Sequence, residues 1–92
     1  MSEPGPWQVV FAPSAERAIG RLPEKIAAAV VEFTTATLPS DPARMSKPLR
    51  GELAEWRVAR RGHYRIVLQL DHGARRIIIG RIEHRADAYR PR

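Results

Sequence analysis

Three runs with strand character fill the second half of this chain: Glu55 to Arg60, Tyr64 to Leu70 and Arg76 to Ile82. The segments between them, Arg61-Gly62-His63 and Asp71-His72-Gly73-Ala74, are short enough for antiparallel hairpins, so a meander is the economical topology. One face of such a sheet must be buried against another layer, and the first half supplies it. Trp7 to Ala12, bounded by Pro6 and Pro13 and carrying Val9 and Val10, reads as a first strand. Pro13-Ser14-Ala15-Glu16 then opens a helix, with Ser14 as candidate cap and Ala15, Ala18, Ile19 and Leu22 as its apolar stripe. Gly20 and Pro23 interrupt it. Pro23 can begin a second helix, in which Ile26, Val30 and Phe33 repeat at buried-face spacing until Pro39 stops it near Leu38. The expectation is an α+β fold, a helical hairpin lying on a sheet of about four strands.

With 92 residues, the chain makes a single domain over 1–92 with one modest core, residues 1–6 and 91–92 being loose ends. A site on so small a body must lie on an open face or shallow groove. There is no cysteine, which removes disulfides and thiolate metal sites and suits a reducing cytosol. The apolar runs fall far short of a membrane span, and the opening Met1-Ser2-Glu3-Pro4-Gly5-Pro6 lacks the regions of a signal peptide. A cytoplasmic protein without membrane contact is expected.

Charge is distributed unevenly. Residues 44–92 hold thirteen Lys and Arg against five acids, whereas residues 1–43 hold three against five. A sheet lined with arginines is a surface for a polyanion. The stretch 40–51, punctuated by Pro42, Pro48 and Gly51, reads as a basic loop with Arg44, Lys47 and Arg50. Ile77-Ile78-Ile79 calls for a strand covered on both faces or an edge covered by a partner. His63 and His72 fall in turns and are expected to be solvated. Three histidines without acids at ligand spacing make no metal site, and no cofactor is implied.

Taken in order, Leu22-Pro23-Glu24-Lys25, Lys47-Pro48-Leu49-Arg50-Gly51, Trp56-Arg57, Arg61-Gly62-His63-Tyr64-Arg65-Ile66-Val67 and His84-Arg85-Ala86-Asp87-Ala88-Tyr89-Arg90 resemble the RelE/ParE superfamily of bacterial toxins, over about residues 7 to 90. The resemblance implies a two-helix layer on a twisted antiparallel sheet. It also implies an antitoxin encoded alongside, whose acidic wrapping segment would neutralise the arginines, and it allows a toxin–antitoxin heterotetramer. Two activities occur in the superfamily. RelE-like toxins cut messenger RNA in the ribosomal A site, and ParE-like toxins poison DNA gyrase.

Cleavage by the RNA 2′-hydroxyl needs a base, an acid for the leaving 5′ oxygen, and cations for the charge that builds on phosphorus; it needs no metal. By position in the motifs, Arg65 and Arg85 match the catalytic arginines of RelE-like toxins, and guanidinium suits a phosphate through paired donors. Tyr89 matches their C-terminal catalytic tyrosine, while His84 lies near where some relatives use a histidine and has the better-placed intrinsic acidity. Either can carry the proton. RelE-like toxins also set basic residues at alternate positions before Gly-x-Tyr-Arg, and here that series reads Arg57, Ala59, Arg61. Arg57 joins the catalytic set, Ala59 breaks the series, and Lys47, Arg50, Arg60, Arg61 and Arg81 form an RNA-holding face. If Arg65 faces the groove, Tyr64 faces the helices. Trp56, beside Leu53, is expected to fill the gap between loop and helix layer. The reading is a ribosome-dependent mRNA endoribonuclease, with ribosome, message and antitoxin as partners. The alternatives are a gyrase inhibitor without nuclease activity and a non-toxic RNA-binding relative.

Overall fold

The computed structural model describes residues 7–84. Arg85 and Tyr89 lie outside the described residues. Strand β1 (Gln8–Phe11) leads into α1 (Pro13–Gly20) and α2 (Glu24–Glu32), then β2 (Lys47–Pro48), β3 (Arg57–Arg61), β4 (Tyr64–Asp71) and β5 (Arg76–His84). The strands form one sheet in the order β1-β5-β4-β3-β2. Its right-hand part is the expected meander: β3, β4 and β5 pair antiparallel, and β2 pairs antiparallel with β3. Gly62 opens the β3–β4 turn at φ +61°, a left-handed conformation that glycine adopts without steric cost.

Two features differ from the expectation of about four antiparallel strands. The basic loop contains β2, so there are five strands, and β1 runs parallel to β5, Val9 beside Ile77 and Phe11 beside Ile79. The sheet is therefore mixed. Parallel pairing follows from the path: the chain leaves β1 through the helices and returns to it only after the meander, when β5 offers its free edge. The isoleucine run meets neither expectation: β5 is an interior strand between β1 and β4 with one covered face, where Ile77 and Ile79 are fully buried, while Ile78 is half-buried on the opposite face.

The helices begin and end for local reasons. Pro13 occupies the first position of α1, where its missing N–H is harmless. Ser14 does not cap this helix, as Ala12 holds the cap position and the Ser14 hydroxyl donates to the Gly80 carbonyl at 2.6 Å. Pro23 is the cap residue of α2 rather than its first turn. After Glu32 the chain widens into a π turn over Phe33–Thr37, then tightens to a 3₁₀ turn over Leu38–Ser40 that contains Pro39. Thr34 and Thr35 donate to the carbonyls of Val30 and Val31 at 2.9 and 2.6 Å, the kind of back-bonding that loosens a helix.

The core lies between helices and sheet. Ala15, Val30 and Leu38 meet Ala59, Ile66, Leu68, Ile77 and Ile79, with Phe11, Ile26, Phe33 and Ile82 at its margin. Each fully buried Leu or Ile contributes about 1.5–3 kcal/mol relative to exposure. Period-2 alternation from these anchors assigns every strand residue a face. Arg57, Ala59, Arg61, Tyr64 and His84 share the helix side with Ile66, while Lys47, Val58, Arg60, Arg65, Arg81 and Glu83 share the opposite, open side with Val67.

Candidate functional site

The open side owes its character to one irregularity. Leu68 pairs with Ile79 and Val67 with Arg81, so Gly80 is an extra residue bulged out of β5. Up to Ile79 the odd-numbered residues of β5 are buried under the helices; beyond the bulge the odd-numbered Arg81 and Glu83 emerge on the open side. Side chains around the bulge fit it. The Ser14 hydroxyl holds its carbonyl. The Trp56 ring covers it so closely that a Cβ at Gly80 would stand 2.6 Å from Cζ3. Arg81 and Glu83 follow it as an ion pair of 3.0 Å. Trp56 thus fills space on the open side, not the helix side, because a glycine leaves room for an indole there.

These residues enclose a groove of about 610 Å³, with Leu49, Leu53, Trp56 and Val67 as apolar walls and Arg65, Arg81 and Glu83 as its polar end. A second depression of about 440 Å³ adjoins it across β3, lined by Arg44, Lys47, Val58 and Arg60. Arg60 and Arg65 are directly opposed partners in the ladder. Like charges so placed repel and are destabilising. The Nε of Arg65 is moreover buried without a hydrogen-bond partner among the described residues. Leaving a buried donor unsatisfied costs about 1–3 kcal/mol, more for a charged group. An anion laid along this side would relieve both conditions, since guanidinium binds phosphate oxygens with paired donors.

The sequence-derived candidates are sorted by the sheet. Arg65, Arg60, Arg81 and Lys47 come together on the open side. Arg50 is exposed on the turn beyond β2. Arg57 is engaged elsewhere: its Nε donates to the Ser46 hydroxyl at 2.7 Å and its Nη2 to the carbonyls of Ala43 and Ser46 at 2.8 and 3.0 Å. It ties segment 41–46 to the sheet. Arg61 is exposed on the helix side, and Ala59, 1% exposed, belongs to the core. The break in the basic series is thus a packing requirement beneath the helices and removes no cation from the groove. His84 stacks edge-on against Tyr64 at 5.0 Å on the helix side, as alternation expected of Tyr64, and so points away from Arg65. His63 and His72 are exposed turn residues; His72 also meets the Trp7 ring at 5.4 Å. Among the described residues no three metal-ligating side chains come together, and no helix is long and apolar enough to cross a membrane.

Residues 9–89 match the model of the ParE toxin of type II toxin–antitoxin systems. The chain belongs to this family. Within it the toxin is similar to two Mycobacterium tuberculosis proteins, Toxin RelG and Toxin RelE. It is 46% identical to RelG over 85 residues, 92% of this chain and 98% of that protein. It is 46% identical to RelE over 90 residues, 98% and 93% of the respective chains. Among solved structures, the toxin–antitoxin complex RelBE2 of the same organism superposes with a TM-score of 0.84 at 43% identity, covering 88% of this chain and 100% of its counterpart. The toxin therefore carries the RelE/ParE fold, two helices on a five-stranded mixed sheet.

Sequence reasoning missed Glu83 and the part played by Trp56 and Gly80. A signal existed for the bulge: a glycine directly after three isoleucines in a strand marks a bulge or a close backbone approach. Glu83 follows Arg81 at strand spacing, but which side the pair takes depends on the bulge.

Proposed function

We propose that this toxin is a ribosome-dependent endoribonuclease that cuts messenger RNA in the A site through attack of the 2′-hydroxyl on the adjacent phosphorus. The observation that carries the reading is Arg65, whose buried Nε has no partner among the described residues, opposed by Arg60 on the face that gathers Lys47 and Arg81. Arg65 clamps the scissile phosphate and stabilises its developing charge, Arg60 and Lys47 hold flanking phosphates, and Arg85 adds a second cation by its match to the family motif. Tyr89 takes the proton-transfer role in preference to His84, whose ring lies on the other side of the sheet. Arg57 positions segment 41–46 and does not act on substrate. In the cytoplasm a RelB-like antitoxin would cover the basic groove with an acidic segment, abolishing binding and cleavage together. A gyrase-directed reading is kept because the matching family model is that of ParE.

Mapping message 5′ ends by primer extension after adding the purified toxin to a translating extract, with a ribosome-free control, tests the proposal. Ends in codon register that depend on ribosomes are expected. Intact message and normal translation would overturn it, and loss of gyrase supercoiling would then select the ParE-like alternative.

A further inference from the structure

The groove contains cations enough for a phosphate but also needs a group that removes the 2′-hydroxyl proton. Among the described residues lining it, Glu83 is the only carboxylate. It is the ladder partner of Arg65, so both side chains leave the sheet on the same side and from adjacent strands. Its side chain is 22% exposed, partly sheltered yet reachable, and Arg81 holds one oxygen at 3.0 Å. The other candidate acceptors are poorly placed. Ser14 spends its hydroxyl on the Gly80 carbonyl, and His84 stands on the helix side against Tyr64. A carboxylate amid arginines would otherwise weaken a phosphate site by competing for its cations, so its place there calls for a use.

We infer that Glu83 is the general base of the cleavage proposed above, an inference that rests on that reading. The Glu83 carboxylate takes the 2′-hydroxyl proton as the 2′ oxygen forms its bond to phosphorus. The bond from phosphorus to the 5′ oxygen breaks, and with Glu83 as the base, Tyr89, the proton carrier named above by its motif match, is left to supply the proton to the leaving oxygen. The products are a 2′,3′-cyclic phosphate and a 5′-hydroxyl end. Arg81 is a positioning residue that fixes the carboxylate, while Arg65 holds the phosphate.

Glu83→Gln separates this role from its rivals, because the amide keeps the shape and an acceptor for Arg81 but cannot take the proton. It also removes a negative charge from an RNA-binding face. Single-turnover cleavage of ribosome-bound message should fall by about 10²- to 10⁴-fold, while binding to message-loaded ribosomes stays equal or tightens. Glu83→Asp, a weaker substitution, should recover part of the rate. A Gln variant that cuts as fast as the wild type, or faster because the carboxylate merely repelled RNA, overturns the role of Glu83 and leaves the nuclease intact. A parallel loss of binding and cutting, with thermal unfolding shifted, makes Glu83 structural and also overturns it. Absence of cutting by the wild type overturns the nuclease reading itself, and with it the proton transfer.

Discussion

The two sides of this sheet obey opposite rules. On the helix side Ala59, Ile66, Leu68, Ile77 and Ile79 are 0–1% exposed, and the half-buried guanidinium of Arg57 is bonded to a side-chain hydroxyl and two carbonyls. On the open side Arg60 and Arg65 oppose each other, and the Arg65 Nε is buried without a partner among the described residues. The first side is arranged for stability alone; the second carries repulsion and an unmet donor, costs that a chain retains where a ligand will offset them. The overall charge of +6 therefore overstates the site, because part of the cationic inventory serves as internal fastening.

Substitutions that act on one side and spare the other test the contrast. Leu68→Ala should lower stability by about 2–5 kcal/mol through cavity formation, measured by urea denaturation. Arg65→Ala should cut cleavage by about 10²–10³-fold, the cost of removing one transition-state donor. Stability in the same urea titration should hold or rise, because a buried unpartnered donor has gone; a large loss would blur the distinction between the sides. Gly80→Ala, forced against the Trp56 ring, should cost about 1–3 kcal/mol and reduce cleavage together, since packing and site meet at that residue. The smallest effect is the sharpest: Arg60→Ala should reduce the log–log salt slope of ribosome binding by about 1, whereas Arg61→Ala, one residue along on the other side, should leave it unchanged.

Much of this was legible beforehand. Short-range turn chemistry at Gly62 and the alternation of Tyr64 through Leu70 are local, so the meander and the opposite directions of Tyr64 and Arg65 follow from sequence. The parallel docking of β1 is not local: nothing in Gln8–Phe11 encodes its partner, which lies almost seventy positions away. The site was half readable for the same reason. Arg65 was found through its motif and its neighbours. Arg57 reads from sequence as a catalytic cation, because its bonds to Ala43 and Ser46 depend on how a proline-rich segment folds back. Ala59 read as a missing charge because the helix packing above it has no signature in that strand.

The extra residue at Gly80 has a last consequence, for how the chain avoids misreading itself. Were β5 to pair with β4 as an unbroken ladder, Arg81 and Glu83 would continue the phase of Ile77 and Ile79 and descend beneath the helices. Two ions in that interior carry a desolvation penalty of several kcal/mol each. The charged pair thus works as a parity check during assembly: a strand that aligns without the bulge is rejected by the same side chains that a correctly aligned strand delivers to the groove.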